Sequence, residues 1–285
     1  MRRGFKWFFI LFGLMVLALA VALGVNYKMN QKVYLTTYEY QSTKLPQSFD
    51  GYRIAVISDM HNSQYADRFI TLLDDASPDL LLFAGDMIQQ PDTNLDQVIK
   101  VIRSQAGRVP VYVVFGNHEA ANGSAVRSAL TKQLQDAGAR VLSNIAVGIA
   151  RGEDKIRLIG LEDDDREVLE EETINTYRKV VKRVTRKDKG ERFNILLYHR
   201  ADVFPELSDL PVDLVLSGHL HGGIVRLPFA GGVFGRNGEL FPEYTGGMYR
   251  QHKTTMIVSR GCDYNPKKTR VFNPPEIVLV TLSKP

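Results

Sequence analysis

The sequence is poor in cysteine: Cys262 is the single thiol among 285 residues. An internal disulfide is therefore excluded, and so is a zinc site built from several cysteines. Any metal must be held mainly by His, Asp, Glu and Asn side chains, which suit manganese, iron or zinc. The sequence also lacks repeats and low-complexity tracts, so its composition is neither collagen-like nor disordered. Its length fits one large catalytic domain.

The excess of positive charge is also small. The net charge is +4, from 36 basic and 32 acidic residues, which is too weak to indicate a nucleic-acid partner. A nuclease would need a basic track with stacking aromatic side chains, whereas the basic residues near the candidate site are scattered. We therefore expect no nucleic-acid partner, although a mildly basic chain suits anionic phosphates or an anionic membrane surface.

One long hydrophobic run lies near the N-terminus. Residues 7–25 contain no charged side chain, and a helix of this length covers about 28 Å, close to the hydrocarbon thickness of a bilayer. The run therefore predicts a single membrane-spanning helix. Arg2, Arg3 and Lys6 precede it, and this bias favours a cytoplasmic N-terminus with the catalytic domain on the extracytoplasmic side.

Two other interpretations of this segment stay open. A cleavable signal peptide could use the small-x-small site Ala20–Ala22, but the apolar run is longer than the usual signal core. A buried core helix is the plainer alternative, which an unbroken apolar stretch at the terminus disfavours. We predict a membrane anchor over residues 1–27, a juxtamembrane connector over 28–50 and a globular domain over 51–285.

Hydrophobic periodicity predicts the elements of the globular domain. Strands are expected at Arg53–Ser58, Leu80–Ala84, Val111–Phe115, Lys155–Leu161, Phe193–Tyr198, Leu214–Ser217, Thr255–Ser259 and Ile277–Leu282. Helices are expected at Asp67–Ala76, Leu95–Gln105, Ser124–Ala137 and Arg166–Arg186. The early β-α-β alternation indicates a layered α/β domain, and the later strands, with less helix between them, indicate a second sheet.

Candidate metal ligands follow five of these strands directly. The motifs are Asp59-Met60-His61, Gly85-Asp86, Gly116-Asn117-His118-Glu119, His199 and Gly218-His219-Leu220-His221. Ligand sites gather at the carboxyl ends of strands in α/β sheets. A lone Asp or His at such a position is usually a hydrogen-bonded structural residue, but five such placements together indicate a metal site.

The spacing within two motifs supports this interpretation. Asp59 and His61 are two residues apart, so in an extended segment both side chains would point to one side and could chelate one ion. His219 and His221 repeat the spacing. A glycine also precedes three of the candidate ligands, which permits tight turns from strand to loop.

In this order, the five motifs resemble those of the calcineurin-like metallophosphoesterase superfamily, and the resemblance spans Asp59–His221. The sequences Gly222-Gly223, Ser259-Arg260-Gly261 and Pro275-Glu276-Ile277 resemble its membrane-anchored or exported bacterial branch. The resemblance implies a four-layer αββα sandwich of two mixed β-sheets flanked by helices. In this chain the N-terminal transmembrane helix would precede that sandwich.

The resemblance also implies roles for individual residues. Asp59, His61 and His221 would hold one divalent ion, Asn117, His199 and His219 the other, and Asp86 would bridge both. A hydroxide between the ions would be the nucleophile, because metal binding lowers the pKa of water toward about 7. His118 is the candidate proton donor to the leaving group, and Glu119 would orient its imidazole.

The glycine-rich segment 222–250 follows two candidate ligands and is expected to border the site as a loop. Its apolar residues Leu227, Phe229, Val233, Phe234 and Phe241 would form a lip for a lipid-linked phosphate, with Arg226 contacting the phosphate. Ordinary loop packing explains the same composition equally well. Ile224 and Asn62 depart from the pattern of relatives, and these departures leave the substrate open.

We therefore expect a metal-dependent hydrolase of phosphate ester or pyrophosphate bonds with two divalent ions as cofactors. The substrate expected is a lipid-linked or cell-envelope phosphate, with the pyrophosphate of a nucleotide-linked lipid sugar favoured by the resemblance. A general phosphodiesterase or phosphomonoesterase is one alternative. A non-catalytic envelope module is another, which a missing ligand or a missing His118 would favour, and none is missing.

Overall fold

Two six-stranded β-sheets form the centre of the protein. The structure, a computed structural model, describes residues 2–166, 169–188, 191–227, 229–235, 238–263 and 270–285. Its α-helices are α1 (Arg2–Asn30), α2 (Ala66–Ala76), α3 (Asp96–Gln105), α4 (Asn117–Ala120), α5 (Ser124–Asp136), α6 (Glu171–Thr185) and α7 (Phe204–Leu207). Its strands are β1 (Tyr34–Gln41), β2 (Tyr52–Ile57), β3 (Leu80–Ala84), β4 (Val111–Val114), β5 (Arg140–Val141), β6 (Ile145–Arg151), β7 (Asp154–Gly160), β8 (Asn194–Arg200), β9 (Leu214–Gly218), β10 (Val225–Leu227), β11 (Gly231–Phe234), β12 (Gly247–Gln251), β13 (Thr254–Val258) and β14 (Glu276–Ser283).

Both sheets are mixed. The first has the order β1-β14-β2-β3-β4-β5, in which only the β14–β2 pair is antiparallel. The second has the order β12-β13-β9-β8-β7-β6, with antiparallel pairs at its two edges. Strands β10 and β11 form a separate hairpin. In both sheets the central strands are parallel, so their carboxyl ends can meet at one edge.

Three apolar cores hold the layers together. Side chains such as Ile54, Leu82 and Leu216 are buried between the two sheets. Helices α2, α3 and α5 cover the outer face of the first sheet, and α6 and α7 cover that of the second. Burial of this apolar surface, at about 25 cal/mol per Å², is the main force that stabilises the layers. The predicted four-layer αββα sandwich with one apolar N-terminal helix is confirmed.

Helix α6 begins later than the sequence indicates. We expected a helix from Arg166, but it begins at Glu171, and residues 167–168 lie outside the described part of the chain. The buried Arg200 side chain donates to Asp163 at 2.8 Å and also to the carbonyl oxygens of Asp164 and Arg166. The carbonyl oxygens of Asp164 and Arg166 therefore accept from Arg200 rather than from a following turn of helix.

Two segments outside the predicted strands contain strands. Residues Tyr34–Gln41, within the predicted connector, form β1 and pair in parallel with β14 along their whole length. The predicted loop 222–250 contains the β10–β11 hairpin and β12. The partner of β1 is distant in sequence, and local periodicity does not reveal such a pairing.

Helix α1 is attached to the domain by its last two turns. Phe5–Asn30 is long and apolar enough to cross a membrane, and most of its side chains are exposed. Asn26 and Asn30, one turn apart, are buried against the domain. The Asn26 amide donates to the carbonyl of Arg270 at 3.1 Å and accepts the Phe272 N–H at 2.6 Å. The helix is therefore joined to the domain by more than its covalent connection.

Candidate metal centre

The carboxyl ends of β2, β3, β4, β8 and β9 bring the predicted ligands together. Asp59 and His61 follow β2, Asp86 follows β3, and Asn117 begins α4 directly after β4. His199 lies near the end of β8, where the register with β9 shifts. His219 and His221 follow β9. Asp59 and His219, which are 160 positions apart along the chain, thus meet at one edge of the sandwich.

Two groups of ligand atoms share one carboxylate. Asp59, His61, Asp86 and His221 offer atoms that lie within 4.8 Å of one another, and so do Asp86, His199 and His219. Asp86 belongs to both groups. This is the arrangement expected of two neighbouring cation sites that share an anionic ligand, because two cations at close range repel each other unless a negative charge lies between them.

Unpartnered buried atoms test whether these residues fit a metal. Asp86 Oδ2 and Asn117 Oδ1 are buried and accept no hydrogen bond from the described part of the chain. The Nε2 atoms of His199, His61 and His118 lie 3.3, 3.8 and 3.8 Å from Asp86 Oδ2. An orphaned buried carboxylate oxygen is costly, and a cation among these atoms would compensate it. The donor set of carboxylates, imidazoles and an amide oxygen fits divalent manganese, iron or zinc.

The ligand loops have a strained backbone. Asp59, His61, Asp86, His219 and His221 all have positive φ angles, of 51°, 45°, 52°, 76° and 48°. Asp59 and His61 are therefore not in an extended segment, and the alternation argument for their spacing was wrong, although the two side chains do converge. Left-handed residues of this kind cost about 1–3 kcal/mol each and concentrate at functional sites.

Two glycines make room for the centre. A Cβ atom on Gly218 would lie 1.8 Å from Ser58 Oγ and 2.5 Å from Asp59 Oδ2, so no side chain fits there. Gly85 has a φ of +86°, and a Cβ on it would lie 2.7 Å from His199 Nδ1. Gly85 thus serves a turn, as its position predicts, whereas Gly218 permits the close approach of two strands.

Backbone and side-chain partners orient the ligands. The Nδ1–H groups of His61 and His199 donate to the carbonyls of Ile88 and Ala84 at 2.8 and 2.7 Å, which leaves Nε2 of each ring facing Asp86. The Ser58 hydroxyl donates to Asp59 Oδ2 at 2.6 Å. Such partners fix the tautomer and orientation of a metal-ligating imidazole.

The electrostatics of the imidazoles also suit cation binding. Burial lowers the pKa of His61 and of His219, so both rings are neutral, as metal binding requires. For His199, burial acts to lower the pKa, but the charge of the Asp86 carboxylate outweighs it and raises the pKa to about 10. The carboxylates thus attract a positive charge to this position. His199 Nε2 also lies 3.2 Å from Nδ1 of His219.

His118 is placed beside the two groups. Its Nδ1 accepts the backbone N–H of Gln90 at 3.2 Å, so the ring proton lies on Nε2, which faces Asp86 Oδ2. Its own backbone N–H donates to Asp86 Oδ1 at 2.9 Å. The imidazole is buried at the edge of the cluster and presents an N–H toward the site.

Glu119 has a different role from the one expected. Its carboxylate accepts the backbone N–H groups of Asp86, Met87, Ile88 and Gly116 at 2.7 to 2.9 Å, and these bonds fix the turn after β3. The expected orientation of His118 falls instead to Gln90. Burial and then the Asp86 charge raise the pKa of Glu119 to about 8, an effect that the backbone N–H donors oppose. We therefore assign Glu119 to positioning the Asp86 turn.

Three further residues support His221, and sequence reasoning missed them. The His221 Nδ1 lies 3.2 Å from Asp263 Oδ1, and Arg270 contacts both side chains. Burial raises the pKa of Asp263, but the Arg270 guanidinium and His221 outweigh it and hold the pKa well below its usual range. Asn273 donates to the His221 carbonyl at 2.6 Å. No short motif marks these positions, because their partners lie far along the chain.

Arg226 lies beside the centre rather than in it. It lies on β10, half-buried, and its guanidinium donates to the Gly222 carbonyl at 2.8 Å and the Thr245 hydroxyl at 3.1 Å. It lines a cavity of about 620 Å³ together with Phe241, Tyr249 and other residues of the hairpin and β12. The proposed ligands do not line this cavity, but Gly222 directly follows His221.

Cys262 is buried, and its thiol donates to the carbonyl of Glu276 at 2.8 Å.

Comparison with known proteins identifies the family. The model of the calcineurin-like phosphoesterase family matches residues 52–223. An uncharacterized metallophosphoesterase of Bacillus subtilis, YkuE, is 31% identical over 261 residues, covering 87% of this chain and 84% of that protein. UDP-2,3-diacylglucosamine pyrophosphatase LpxG of Chlamydia muridarum is 27% identical, covering 83% and 86%. A transmembrane protein with metallophosphoesterase domain from Danio rerio is 25% identical, covering 85% and 55%. With the family model matched across more than half of its length, this chain belongs to the calcineurin-like phosphoesterases and is a metallophosphoesterase.

Proposed function

We propose that this chain hydrolyses phosphoester or phosphoanhydride bonds with two divalent metal ions held at the strand ends. The observation that carries the proposal is the Asp86 carboxylate, which two groups of ligand atoms share and whose Oδ2 is buried without a hydrogen-bond donor in the described residues. A purely structural aspartate would be satisfied by N–H or O–H donors. Asp86 is instead surrounded by imidazole nitrogen atoms, which are groups that can bind a cation.

The proposed ligands divide into two sets. Asp59, His61 and His221 would hold one ion, Asn117, His199 and His219 the other, and Asp86 would contact both. When bound, the ions would supply Lewis acidity toward the phosphoryl oxygens and an activated water as nucleophile. The protein contributes the rigid placement of these side chains, which the strained loops and the Glu119 hydrogen bonds maintain.

His118 is the proposed general acid. The Gln90 N–H holds the ring so that its Nε2–H points toward the cluster. A substrate phosphate bound over Asp86 would place its leaving oxygen within reach of that proton. Transfer of the Nε2 proton from the imidazolium form to the leaving oxygen would give the alcohol or phosphate product and leave a neutral imidazole, and a proton from solvent would then restore the imidazolium.

A lipid-linked phosphate is the proposed substrate class, with the pyrophosphate of a nucleotide-linked lipid sugar favoured. Support comes from the LpxG relative, which is named for such a pyrophosphatase, and from the apolar helix. The cavity beside the centre supplies a guanidinium from Arg226 and an apolar wall from Phe241, which suit a phosphate joined to an apolar group. We propose that Arg226 contacts the phosphate.

The chain is proposed to cross the membrane once, through residues 7–25, with the catalytic domain on the extracytoplasmic side. The apolar helix and the named transmembrane relative support the crossing. The basic residues Arg2, Arg3 and Lys6 before the apolar run support the orientation.

One experiment tests the chemistry. The full chain is loaded with manganese, iron or zinc and assayed against nitrophenyl phosphate mono- and diesters and against a nucleotide-linked lipid sugar pyrophosphate. Hydrolysis that needs metal and is lost in Asp86→Ala supports the proposal. Activity retained in Asp86→Ala refutes the mechanism, and bound metal without turnover of any substrate favours the non-catalytic module. Faster turnover of the simple diesters than of the pyrophosphate would replace the favoured substrate with the general phosphodiesterase.

A further inference from the structure

Exposed apolar side chains of the globular domain are concentrated at one place. Leu227, Phe229, Phe234, Leu240 and Phe241 are all exposed, with Leu240 at 70% and Phe241 at 66% of their full areas. Val126 on α5 and Ile145 on β6, by contrast, are exposed singly elsewhere on the domain. Single exposed apolar residues are ordinary on a protein surface, whereas a cluster of large ones marks an interaction site.

Backbone pairing joins the five residues into one surface, which we call the apolar tip. Leu227 lies at the turn end of the β10–β11 hairpin with Phe229 in the connecting turn, and Phe234 lies at the other end, opposite Val225. Phe234 pairs with Leu240 in an isolated antiparallel bridge, and the Phe241 N–H donates to Val233 at 2.9 Å. The tip is therefore a small sheet with exposed aromatic side chains.

The base of this hairpin lies next to the end of helix α1. Val225, the first residue of β10, pairs with Val271. The next residue along, Phe272, donates its N–H to Asn26 of α1. The apolar part of α1 ends at Val25, one residue before this contact. Wherever α1 enters a bilayer, the membrane surface therefore lies within a few residues of the hairpin base.

The attachment of α1 also restricts how the domain can turn. Asn26 and Asn30 both contact the Arg270 carbonyl, and the Tyr65 hydroxyl lies 3.5 Å from the Asn30 carbonyl. The Arg68 side chain donates to the carbonyl of Gln31, just after the helix ends. Contacts from two separate segments of the domain hold the end of the helix. These contacts fix the orientation of α1 relative to the domain.

We infer that the apolar tip rests in the interface of the bilayer that α1 crosses, so that the metal centre faces the lipid surface. Phenylalanine and leucine side chains of an exposed hairpin are stabilised when they leave water. A bilayer suits these side chains better than a second copy of the chain does, because α1 brings a bilayer beside the hairpin in every copy. β10 begins four residues after His221. When the apolar tip lies in the bilayer interface, the metal centre is therefore accessible to molecules whose apolar part remains in the membrane.

This inference rests on the proposed membrane crossing by α1 but not on any catalytic activity. The test uses the full chain in lipid nanodiscs with an environment-sensitive fluorophore on Phe229→Cys or, as a second site, on Leu240→Cys. Native Cys262 is buried, and unsubstituted chain measures any labelling of it. Ile145→Cys is the matched control, since β6 lies at the edge of the second sheet opposite β12.

Lipids carrying a nitroxide near the headgroup are expected to quench the Phe229→Cys and Leu240→Cys labels several-fold more than the Ile145→Cys label. Asn26→Ala combined with Asn30→Ala is expected to reduce this difference in quenching, because the side-chain contacts that fix α1 to residues 270 and 272 are lost. Equal quenching at all three sites overturns the inference while leaving the membrane crossing intact. A blue-shifted label without lipid quenching indicates protein contact and overturns it too. A chain that does not enter nanodiscs overturns both the crossing and the inference.

Discussion

The Glu119 carboxylate accepts the backbone N–H of Asp86 at 2.9 Å, so a residue from the β4 side of the site fixes the proposed bridging ligand after β3. Glu119→Gln is expected to lower the free energy of unfolding by about 3 kcal/mol, because the amide would turn its NH₂ group toward buried N–H donors. Urea unfolding measures the change. Glu162→Gln, at a half-buried residue paired with Arg127, is the control and should cost less than about 1 kcal/mol. A loss as small in Glu119→Gln as in the control would contradict the positioning role.

Asp86→Asn keeps the size of the side chain but removes the charge that both ligand groups share. We expect metal content to fall at both positions and hydrolysis to drop by at least about 10³-fold, since the remaining ligands must hold two repelling cations without an anion between them. Metal analysis and turnover on the same sample check this. Asp92→Asn changes an exposed acidic residue of the same loop and should leave both values unchanged. Full metal content in Asp86→Asn would contradict the proposal that Asp86 is a ligand of both metal ions.

His118→Gln should slow turnover while the metal stays bound. General acid catalysis contributes about 10²- to 10⁴-fold, and most for leaving groups that are strong bases. The loss in kcat should therefore be large for an alkyl phosphate diester and small for a nitrophenyl diester. His252→Gln, at the exposed histidine outside the centre, is the control. Equal losses for the two substrates would argue that His118 does not protonate the leaving group.

Asp263→Asn should weaken metal binding by about 10- to 100-fold, because the carboxylate that orients the His221 ring is lost. Titration of metal-free protein with manganese or zinc measures the affinity. Asp74→Asn, which removes an exposed carboxylate paired with Arg108, should leave the affinity unchanged. Unfolding curves of the two variants separate an effect on metal binding from loss of fold. Unaltered metal affinity in Asp263→Asn would show that His221 needs no such partner.

Much of the fold and the position of the centre followed from local sequence. The strands that carry the site, such as Leu80–Ala84, are short apolar runs that end at a charged or imidazole side chain, and both features are visible within a few residues. Because parallel strands place such ends at one edge, the sequence alone is enough to predict that Asp86, His199 and His219 converge.

The contacts that the sequence did not predict join residues far apart along the chain. Glu119 is adjacent to His118 in the sequence, and this adjacency led us to expect a contact between their side chains. The Glu119 carboxylate instead accepts from backbone N–H groups more than 30 positions earlier. Asp263 meets His221 across 42 positions and belongs to no motif. In the same way, the pairing of Tyr34–Gln41 with the final strand is set by tertiary packing, which local sequence does not reveal.

The insertion of β14 between β1 and β2 has a consequence for the order in which the molecule is completed. The strand that follows α1 finds its sheet neighbour only when residues 276–283 have been synthesised. Until then β1 has no strand beside it in the first sheet. A chain that stops short of its final strand would keep α1 and the proposed ligands but would lose the strand that lies between β1 and β2.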